Sequence, residues 1–444
     1  MMRLVPVANE PMGQLSPQPW MDAPETKAVV AALMADGADV RFVGGCVRDS
    51  VLKRSIKDID IATHDPPERV LALLDEAGIH AIPTGIAHGT VTAIIGKEHF
   101  EITTLRNDVE TFGRHATVAF TDDWTADAAR RDFTMNAMCA DSQGRIYDPF
   151  NGLADLGAGW VRFVGNPAKR IDEDVLRLLR FFRFFAHYGR PPMDPAALEA
   201  CRKAAPQLVR LSGERVAGEL IRLLQAPDPA AVLIVMHAEG ILAPILPEAC
   251  EFSRLKVLTW LESRAMVRDG IRPDPIRRLG AMLNTDAAGA KAIGERLKLS
   301  VAQTTRMTAI AVPRVAVDVA MESRAARRAL RKVGVDEFRD LILTAWAAHR
   351  VVNGARSADT ARWSQLLDLA DHWQPVQLPV RGADALALGV HRGPAIGRAL
   401  AEVDRWWEEN DYQPGRDEAL EKLRAVVGAG LAGGVRGHSG RSGR

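Results

Sequence analysis

The sequence contains few cysteines, and none is spaced for a disulfide framework or a zinc site. Four cysteines occur among 444 residues: Cys46, Cys139, Cys201 and Cys250. They lie far apart and form no Cys-x-x-Cys pair, the spacing typical of zinc ligands and redox-active dithiols. Because disulfides accumulate in oxidising compartments, this pattern favours a reducing one, and we expect a cytoplasmic protein.

Long apolar runs and a large net charge are also lacking. We find no apolar stretch long enough to cross a bilayer, and residues 1–20 lack the charged-then-apolar order of a signal peptide. The 57 Lys and Arg residues are balanced by 56 Asp and Glu residues, for a formal net charge of +1. A uniformly basic surface is thereby excluded, although clustered basic residues can still bind nucleic acid.

The remaining pattern predicts an α+β fold, with an α/β head followed by helices. Residues 1–24 are rich in Pro and small polar residues and predict a loose leader. Residues 25–150 mix helices with short strands and predict an α/β head with a mixed sheet. Helical periodicity then dominates, and we divide this helical part of the chain into a neck (151–225) and a body and tail (226–430). The Gly- and Arg-rich end, 431–444, predicts disorder.

The strongest chemical pattern is the stretch RFVGGCVRDSVLKRSIKDIDIAT, residues 41–63. Gly44-Gly45 separate a predicted strand from a predicted helix, where glycines allow the backbone to approach a phosphate. Asp58 and Asp60 alternate along a predicted strand, so their carboxylates share a face and favour a cation such as Mg²⁺. Glycine pairs are also common structural turns, and two acidic residues can simply mark a solvent-facing strand edge. Glu101, on a neighbouring predicted strand, is a candidate third carboxylate and equally a candidate surface residue.

Five motifs in a fixed order resemble those of the class II tRNA nucleotidyltransferases and bacterial poly(A) polymerases. The first is the stretch just described, and the others are ARRDFTMNAM (129–138), DPFNGLADLGAGWVRFVG (148–165), EDVLRLLRFFRF (173–184) and LSGERVAGELIRLL (211–224). The resemblance spans roughly residues 40–225, and the order of the motifs is highly specific. It implies metal-dependent transfer of nucleotides from CTP and ATP to the 3′ end of an RNA, with tRNA as the favoured acceptor.

The resemblance also implies roles for individual residues of the head. Asp58 and Asp60 match the family's catalytic, metal-binding carboxylates, which implies Mg²⁺ as the cofactor. Gly45 and Arg48 match contacts to the phosphates of the incoming nucleotide, and Arg131 matches a further nucleotide contact. Such a site fits phosphoryl transfer, which is catalysed mainly by positioning and by neutralising charge on the triphosphate.

The fourth motif predicts one helix that carries Glu173, Asp174, Arg177, Arg180 and Arg183. On a single helix Asp174 and Arg177 lie about 60° apart on adjacent turns, so their tips can converge on the edge of a base. The resemblance implies that these two act as a protein template for CTP and then ATP. Arg180 is a candidate nucleotide or phosphate contact, and Arg183 a weaker one. The alternative is an ordinary exposed Glu173–Arg177 ion pair, worth about 0.2–0.5 kcal/mol.

Three reactions share these motifs: full CCA addition, partial addition of CC or A, and poly(A) synthesis. The stretch GIAHGTVTAII (85–95) resembles the form usual in CCA-adding members, and the basic stretch typical of the poly(A) polymerases is missing. Residues 104–124 are mostly polar and predict a mobile loop, of the length that relatives need for the switch from C to A. We therefore expect full CCA addition. A catalytically idle tRNA-binding relative is the alternative of another class, and the paired carboxylates Asp58 and Asp60 argue against it.

Basic residues of the helical half form a candidate RNA contact. We expect residues 226–430 to bind RNA, and a predicted helix there carries basic residues at i, i+3, i+4 and i+7 spacing. They are Arg324, Arg327, Arg328, Arg331 and Lys332. The same pattern is equally typical of an ordinary solvated helix face.

Overall fold

The head is built on one mixed sheet in the computed structural model, which describes residues 10–112, 115–265 and 268–435. The strands are β1 (Gly13–Gln14), β2 (Val40–Val43), β3 (Ile59–Thr63), β4 (His80–Gly85), β5 (Thr90–Ile95), β6 (Glu98–Thr104), β7 (Arg106–Phe112), β8 (His115–Phe120), β9 (Cys139–Ala140) and β10 (Arg145–Tyr147). Their order in the sheet is β1-β10-β9-β2-β3-β6-β5-β4, and only the β3–β6 pair is parallel within these strands. This arrangement places the end of β2 beside the start of β3.

Short helices connect and cover these strands. They are α1 (Pro19–Asp22), α2 (Pro24–Leu33), α3 (Gly45–Val51), α4 (Pro67–Glu76) and α5 (Trp124–Ala129). The apolar faces of α2 and α4 bury Leu33 and Leu74 against a sheet whose own inward residues include Phe42 and Ile102. Burial of such side chains stabilises the head by about 1.5–3 kcal/mol each.

The remainder of the described chain is helical, which confirms the α+β prediction. The helices are α6 (Gly152–Ala158), α7 (Pro167–Glu173), α8 (Leu176–Tyr188), α9 (Pro195–Ala204), α10 (Gly213–Leu224), α11 (Pro229–Ala238), α12 (Phe252–Trp260), α13 (Pro275–Met282), α14 (Ala287–Arg296), α15 (Val301–Ala311), α16 (Ser323–Val333), α17 (Val335–Asn353), α18 (Ser357–Asp371), α19 (Gly382–Ala387), α20 (Pro394–Glu409) and α21 (Arg416–Val435). Across the described ranges, none of the helices has the length and apolarity needed to cross a membrane.

The described parts of both predicted chain ends contain regular structure, whereas residues 1–9 of the predicted leader lie outside the described residues. In the leader, β1 pairs with β10, Leu15 is buried, and the Trp20 ring packs edge-on against Phe42 at 4.7 Å between centroids. These apolar anchors outweigh the Pro-rich composition on which the loose leader was predicted. At the other end, α21 continues to Val435, past residue 431 where the predicted disordered tail begins. Residues 436–444 lie outside the described residues.

The segment predicted as a mobile loop is a β-hairpin. β7 and β8 pair antiparallel, with Arg106 opposite Phe120 at the base and Phe112 opposite His115 at the tip. Val109 and Val118 are among the β-formers that favour strands here in spite of the polar composition. Arg114, which the prediction included, lies outside the described residues.

A buried charge network joins the neck to the body. Arg278 of α13 is fully buried, and its guanidinium donates to Glu262 at 2.6 Å and to the carbonyl oxygens of Leu224 and Ala226 at 2.5 and 2.9 Å. Arg277 donates to Glu262 at 2.7 Å as well. Since isolated buried charges are costly, this mutual pairing fixes α13 against the carboxyl end of α10.

The predicted basic stripe lies on α16 and largely faces another helix. Three of its residues pair with carboxylates of α20 and the turn that follows it: Arg327 with Asp411, Arg328 with Glu408, and Arg331 with Asp404. The sequence could not show this, because the partners lie about 80 residues away. Arg324 and Lys332 of the predicted stripe are exposed, and the other three residues form a helix–helix contact.

Candidate active site

The glycine pair forms a turn that only glycine accommodates well. Gly44 follows β2 with φ of +71°, and α3 begins at the next residue, Gly45. A Cβ atom on Gly44 would lie 3.3 Å from Nη1 of Arg131 and 3.9 Å from Oδ2 of Asp60. The backbone at Gly44 therefore forms part of the cavity wall between a cation and a carboxylate.

Arg48 lies one turn into α3 and is held by three hydrogen bonds. Its Nε and Nη2 donate to the two carboxylate oxygens of Asp49 at 3.1 and 2.7 Å, and Nη1 donates to Oδ1 of Asn136 at 2.6 Å. The guanidinium carbon also lies 4.4 Å from the ring centroid of Tyr188. A buried guanidinium fixed in this way is a preorganised donor for a phosphate.

Asp60 and Asp58 differ in burial. Asp60 is half-buried in β3, whereas Asp58 immediately precedes the strand and is exposed. Glu101 of β6 is the in-register neighbour of Asp60. Burial and then the Glu101 carboxylate raise the pKa of Asp60 to about 6, with Asp58 adding to the rise and Arg131 opposing it. The uncompensated negative charge at this point favours a bound cation.

The donor set fits a hard divalent cation that is completed by its substrate. No group of three His, Cys, Asp or Glu side chains in the described residues is gathered as a metal site. Two carboxylates separated by one residue are nonetheless what Mg²⁺ commonly takes from a protein, the other ligands being phosphate oxygens and water.

Arg131 is anchored by a buried carboxylate on its own helix turn. Its Nη2 and Nε donate to Oδ2 of Asp127 at 3.1 and 3.3 Å, while Arg130 donates to Oδ1. Burial alone would raise the pKa of Asp127, but Arg131 and Arg130 hold it below its ordinary value. Asp127 therefore stays ionised and directs Arg131 toward Gly44.

The predicted continuous neck helix is broken at Asp174. α7 ends at Glu173, Asp174 is extended with φ of −153° and ψ of 109°, and α8 begins at Leu176. Oδ1 of Asp174 accepts the backbone N–H of Leu176 at 3.1 Å, a local bond that competes with helix continuation. Its Oδ2 accepts from Nη2 of Arg215 in α10 at 2.7 Å. The single-helix geometry inferred from spacing is therefore wrong, although Asp174 and Arg177 still lie beside the same cavity.

The Glu173–Arg177 ion pair that was the alternative interpretation does form, but it is not exposed. The two side chains are 16% and 14% accessible, and Glu173 also accepts from Arg170 at 2.8 Å. Burial tends to raise the pKa of Glu173, and the two arginines hold it below its usual range. Arg177 also lines the cavity. The ion pair with Glu173 therefore orients Arg177 and is compatible with a contact between Arg177 and a nucleotide.

Arg180 and Arg183 take different directions on α8. Arg180 donates to the buried Asp132 at 2.7 Å and lines the cavity. Arg183 is turned to the buried Glu219, at 2.6 Å, and does not line the cavity. The three-residue step rotates Arg183 along the helix surface to the α10 side, which removes the geometric support for its predicted nucleotide contact.

One cavity of about 500 Å³ brings most of the predicted residues together. Five arginines and three aspartates line it, which leaves its wall net positive and suited to a polyanion. The predicted residues in its lining are Gly44, Gly45, Arg48, Asp60, Arg131, Asp174, Arg177 and Arg180, and the lining residues not predicted are Asp132, Asn136, Leu176, Phe184 and Arg215. Asp132 and Asn136 belong to the second motif and Arg215 to the fifth. The motifs therefore marked these residues, but the sequence did not show what each of them contacts. Asp58 lies outside the lining.

Comparison with known proteins identifies related sequences for both parts of the chain. Residues 40–162 match the family described as the poly(A) polymerase head domain, and residues 192–252 match a probable RNA- and SrmB-binding site of polymerase A. The mitochondrial CCA tRNA nucleotidyltransferase 1 of Danio rerio is 35% identical over 399 residues, which cover 87% of each chain. The CCA-adding enzyme of Streptococcus suis is 40% identical over 204 residues, 46% of this chain and 49% of that protein.

A solved structure shares the whole architecture. The CCA-adding enzyme of Bacillus stearothermophilus in complex with CTP superposes with a TM-score of 0.74 at 25% sequence identity. The match covers 94% of this chain and all of that one. The similarity therefore extends through the helical half and is not limited to the motifs.

Replacing Gly44 by alanine tests the turn. We expect Gly44→Ala to weaken CTP binding at least about tenfold, because its Cβ enters the cavity wall at a backbone conformation that costs alanine about 1–3 kcal/mol. Gly37→Ala is the matched control, since Gly37 has φ of +81° and open space around its Cβ position. Calorimetric titration with CTP measures both variants. Equal affinities for the two would show that Gly44 is only a structural turn.

Proposed function

The chain belongs to the family of tRNA nucleotidyltransferases and poly(A) polymerases, and we propose that it adds C, C and A to the 3′ end of tRNA from CTP and ATP. The observation that carries this proposal is that one cavity holds groups suited to both ends of a nucleotide. Gly45 and Arg48 offer donors to phosphates, whereas Asp174 and Arg177 offer an acceptor and a donor to a base. CCA-adding relatives that align over most of both chains support the same reaction.

The chemistry joins the 3′ hydroxyl oxygen of the RNA to the α-phosphorus of the nucleotide and releases pyrophosphate. Membership of this family implies dependence on a divalent metal, and we propose Mg²⁺ held by Asp58 and Asp60. Mg²⁺ bound there would neutralise charge on the α-phosphate and on the departing pyrophosphate. Arg48 and Arg131 hold the remaining phosphate charge in a fixed place, which is the main contribution a protein makes to phosphoryl transfer.

Base selection follows from hydrogen-bond complementarity at the other end of the cavity. Cytosine and adenine both present an exocyclic amine beside a ring nitrogen acceptor, and Asp174 can accept from that amine while Arg177 donates to the ring nitrogen. Uracil and guanine present a carbonyl where the amine would be, which an ionised carboxylate rejects. Arg180, fixed by Asp132, completes the nucleotide contacts that we propose. Arg183, which pairs with Glu219 and does not line the cavity, is not among them.

The alternative reactions have less support. Poly(A) synthesis requires ATP without CTP, yet the site offers the same hydrogen-bond pattern to both bases, and the CCA-adding relatives cover the full head and helices. We propose that the β7–β8 hairpin serves the final A addition, which distinguishes full from partial addition. A catalytically idle tRNA-binding protein has no use for Asp60 in the wall of a phosphate-binding cavity with Asp58 two residues before it.

The proposal also concerns the RNA that accepts the nucleotides and the cellular location of the protein. We propose that the helical half, including its exposed Arg324 and Lys332, holds the tRNA while its 3′ end enters the cavity. A cytoplasmic location remains a prediction from cysteine content, since the Danio rerio relative is named as a mitochondrial protein.

A transfer assay tests the function directly. With tRNA that lacks its 3′ CCA, we expect CTP alone to give two added nucleotides, and CTP with ATP to give three. Products are counted on a sequencing gel. Long tails from ATP alone would establish poly(A) synthesis instead, and no extension with any nucleotide would favour the idle relative.

Removal of the metal carboxylates is expected to abolish addition. Asp60→Ala and Asp58→Ala should each lower the rate by more than about a hundredfold, because charge on the triphosphate is no longer neutralised. Asp36→Ala, which removes an exposed carboxylate that pairs with Arg69, is the control. Rates are measured in Mg²⁺ together with circular dichroism of each variant. Near-normal turnover of a folded Asp60→Ala protein would overturn the metal assignment.

The template is tested by nucleotide competition. Asp174→Ala should lower the preference for CTP and ATP over UTP and GTP by about 1–3 kcal/mol, roughly 5- to 150-fold, because the acceptor for the amine is lost. Asp172→Ala changes an exposed carboxylate two residues away and should leave the preference unaltered. All four nucleotides are offered together and the added bases are identified. Unchanged selectivity in Asp174→Ala would mean that this residue only starts the neck helix.

A further inference from the structure

The guanidinium of Arg48 is held by three of its N–H donors, and its other two remain available to a ligand. A guanidinium has five N–H donors, and Arg48 directs three of them to Asp49 and Asn136. Among the residues that the structure describes, the two other donors have no partner, and they lie on a side chain that lines the cavity. The fixed orientation of Arg48 thus determines the position of its two remaining donors.

Asp49 sets that orientation, and Asp49 is in turn held by the neck. The hydroxyl of Tyr188 donates to Oδ1 of Asp49 at 2.9 Å, the same oxygen that accepts from Nε of Arg48. Burial and then the Asp49 charge raise the pKa of Tyr188, in opposition to Arg48, so this hydroxyl remains a donor at neutral pH. The hydrogen bond spans 139 residues of sequence and joins α3 of the head to the last residue of α8.

The aromatic ring of Tyr188 packs against the Arg48 guanidinium. The guanidinium carbons of Arg48 and Arg54 lie 4.4 and 4.6 Å from its ring centroid. Arg54 also donates to the backbone carbonyl of His187 at 3.0 Å, which holds the end of α8 against the head. The ring and the hydroxyl are therefore two separable restraints on Arg48, one by stacking and one through Asp49.

We propose that the Tyr188 hydroxyl is a positioning group for the triphosphate of the incoming nucleotide, acting through Asp49 on Arg48. This proposal rests on the proposed function and extends it from the residues that touch the nucleotide to one that does not. Since Arg48 addresses phosphates and not the base, loss of the hydroxyl weakens CTP and ATP equally. Base selection by Asp174 and Arg177 is left as it was.

The test compares two tyrosine-to-phenylalanine variants. Tyr188→Phe removes the hydroxyl and keeps the ring, and we expect KM for CTP and for ATP to rise together by about five- to tenfold, with little change in kcat. Tyr147→Phe is the matched control, because the Tyr147 hydroxyl donates to Asp141 at 3.1 Å and its ring lies 3.8 Å from the Arg41 guanidinium, outside the cavity lining. Calorimetric titration with CTP in the absence of tRNA should show the same loss for Tyr188→Phe alone.

The outcomes separate this proposal from a structural role and from failure of the proposed function. Unchanged KM in Tyr188→Phe, even with a lowered melting temperature, would overturn the proposal, as would altered selectivity against UTP. Should Tyr188→Phe not fold, Asp49→Asn replaces it and must give the same joint rise in KM, or the proposal fails. If the unmodified protein adds nothing to tRNA that lacks CCA, the proposed function is at fault, whereas an effect of Tyr188→Phe on CTP binding still supports the positioning role.

Discussion

Every arginine around the cavity is paired with a carboxylate, and the site depends on these pairings. The pairs are Arg48 with Asp49, Arg131 with Asp127, Arg177 with Glu173, Arg180 with Asp132, and Arg215 with Asp174. Five guanidinium groups around one cavity would otherwise repel one another and move apart. Their partners compensate the charge and fix each group before a nucleotide arrives, so little reorganisation is needed when the triphosphate binds.

Two of these pairs tie α8 to its neighbours, one to the head and one to α10 within the neck, so the site depends on the packing of α8 against both. Arg180 of α8 meets Asp132 of the head, and Arg215 of α10 meets Asp174 at the start of α8. An aromatic cluster maintains this packing, with Phe133 of the head 5.1 Å from Phe184 of α8 between ring centroids. Each such pair contributes about 0.5–1.5 kcal/mol beyond its buried area. The packing of aromatic rings between head and neck is therefore coupled to the orientation of the arginines in the cavity.

The sequence predicted those features that depend on local pattern. The strand predicted before Gly44-Gly45 forms as β2, and the strand predicted for Asp58 and Asp60 forms as β3, although it begins one residue after Asp58. The prediction of one continuous neck helix was wrong at Asp174. A side chain that accepts a hydrogen bond from the backbone two residues ahead can end a helix that periodicity would continue. Arg215 could not be assigned because its role requires a partner 41 residues away. Likewise, the basic residues of α16 met carboxylates of α20 that no local pattern indicates.

We propose that one preorganised cavity holds the phosphates and reads the base through protein groups alone. A crystal structure of the protein with CTP and Mg²⁺ measures this most directly. We expect the triphosphate beside Gly45 and Arg48, the metal at Asp58 and Asp60, and the cytosine amine within hydrogen-bonding distance of Asp174. A cytosine ring turned away from Asp174 and Arg177, with the triphosphate bound as expected, would contradict it.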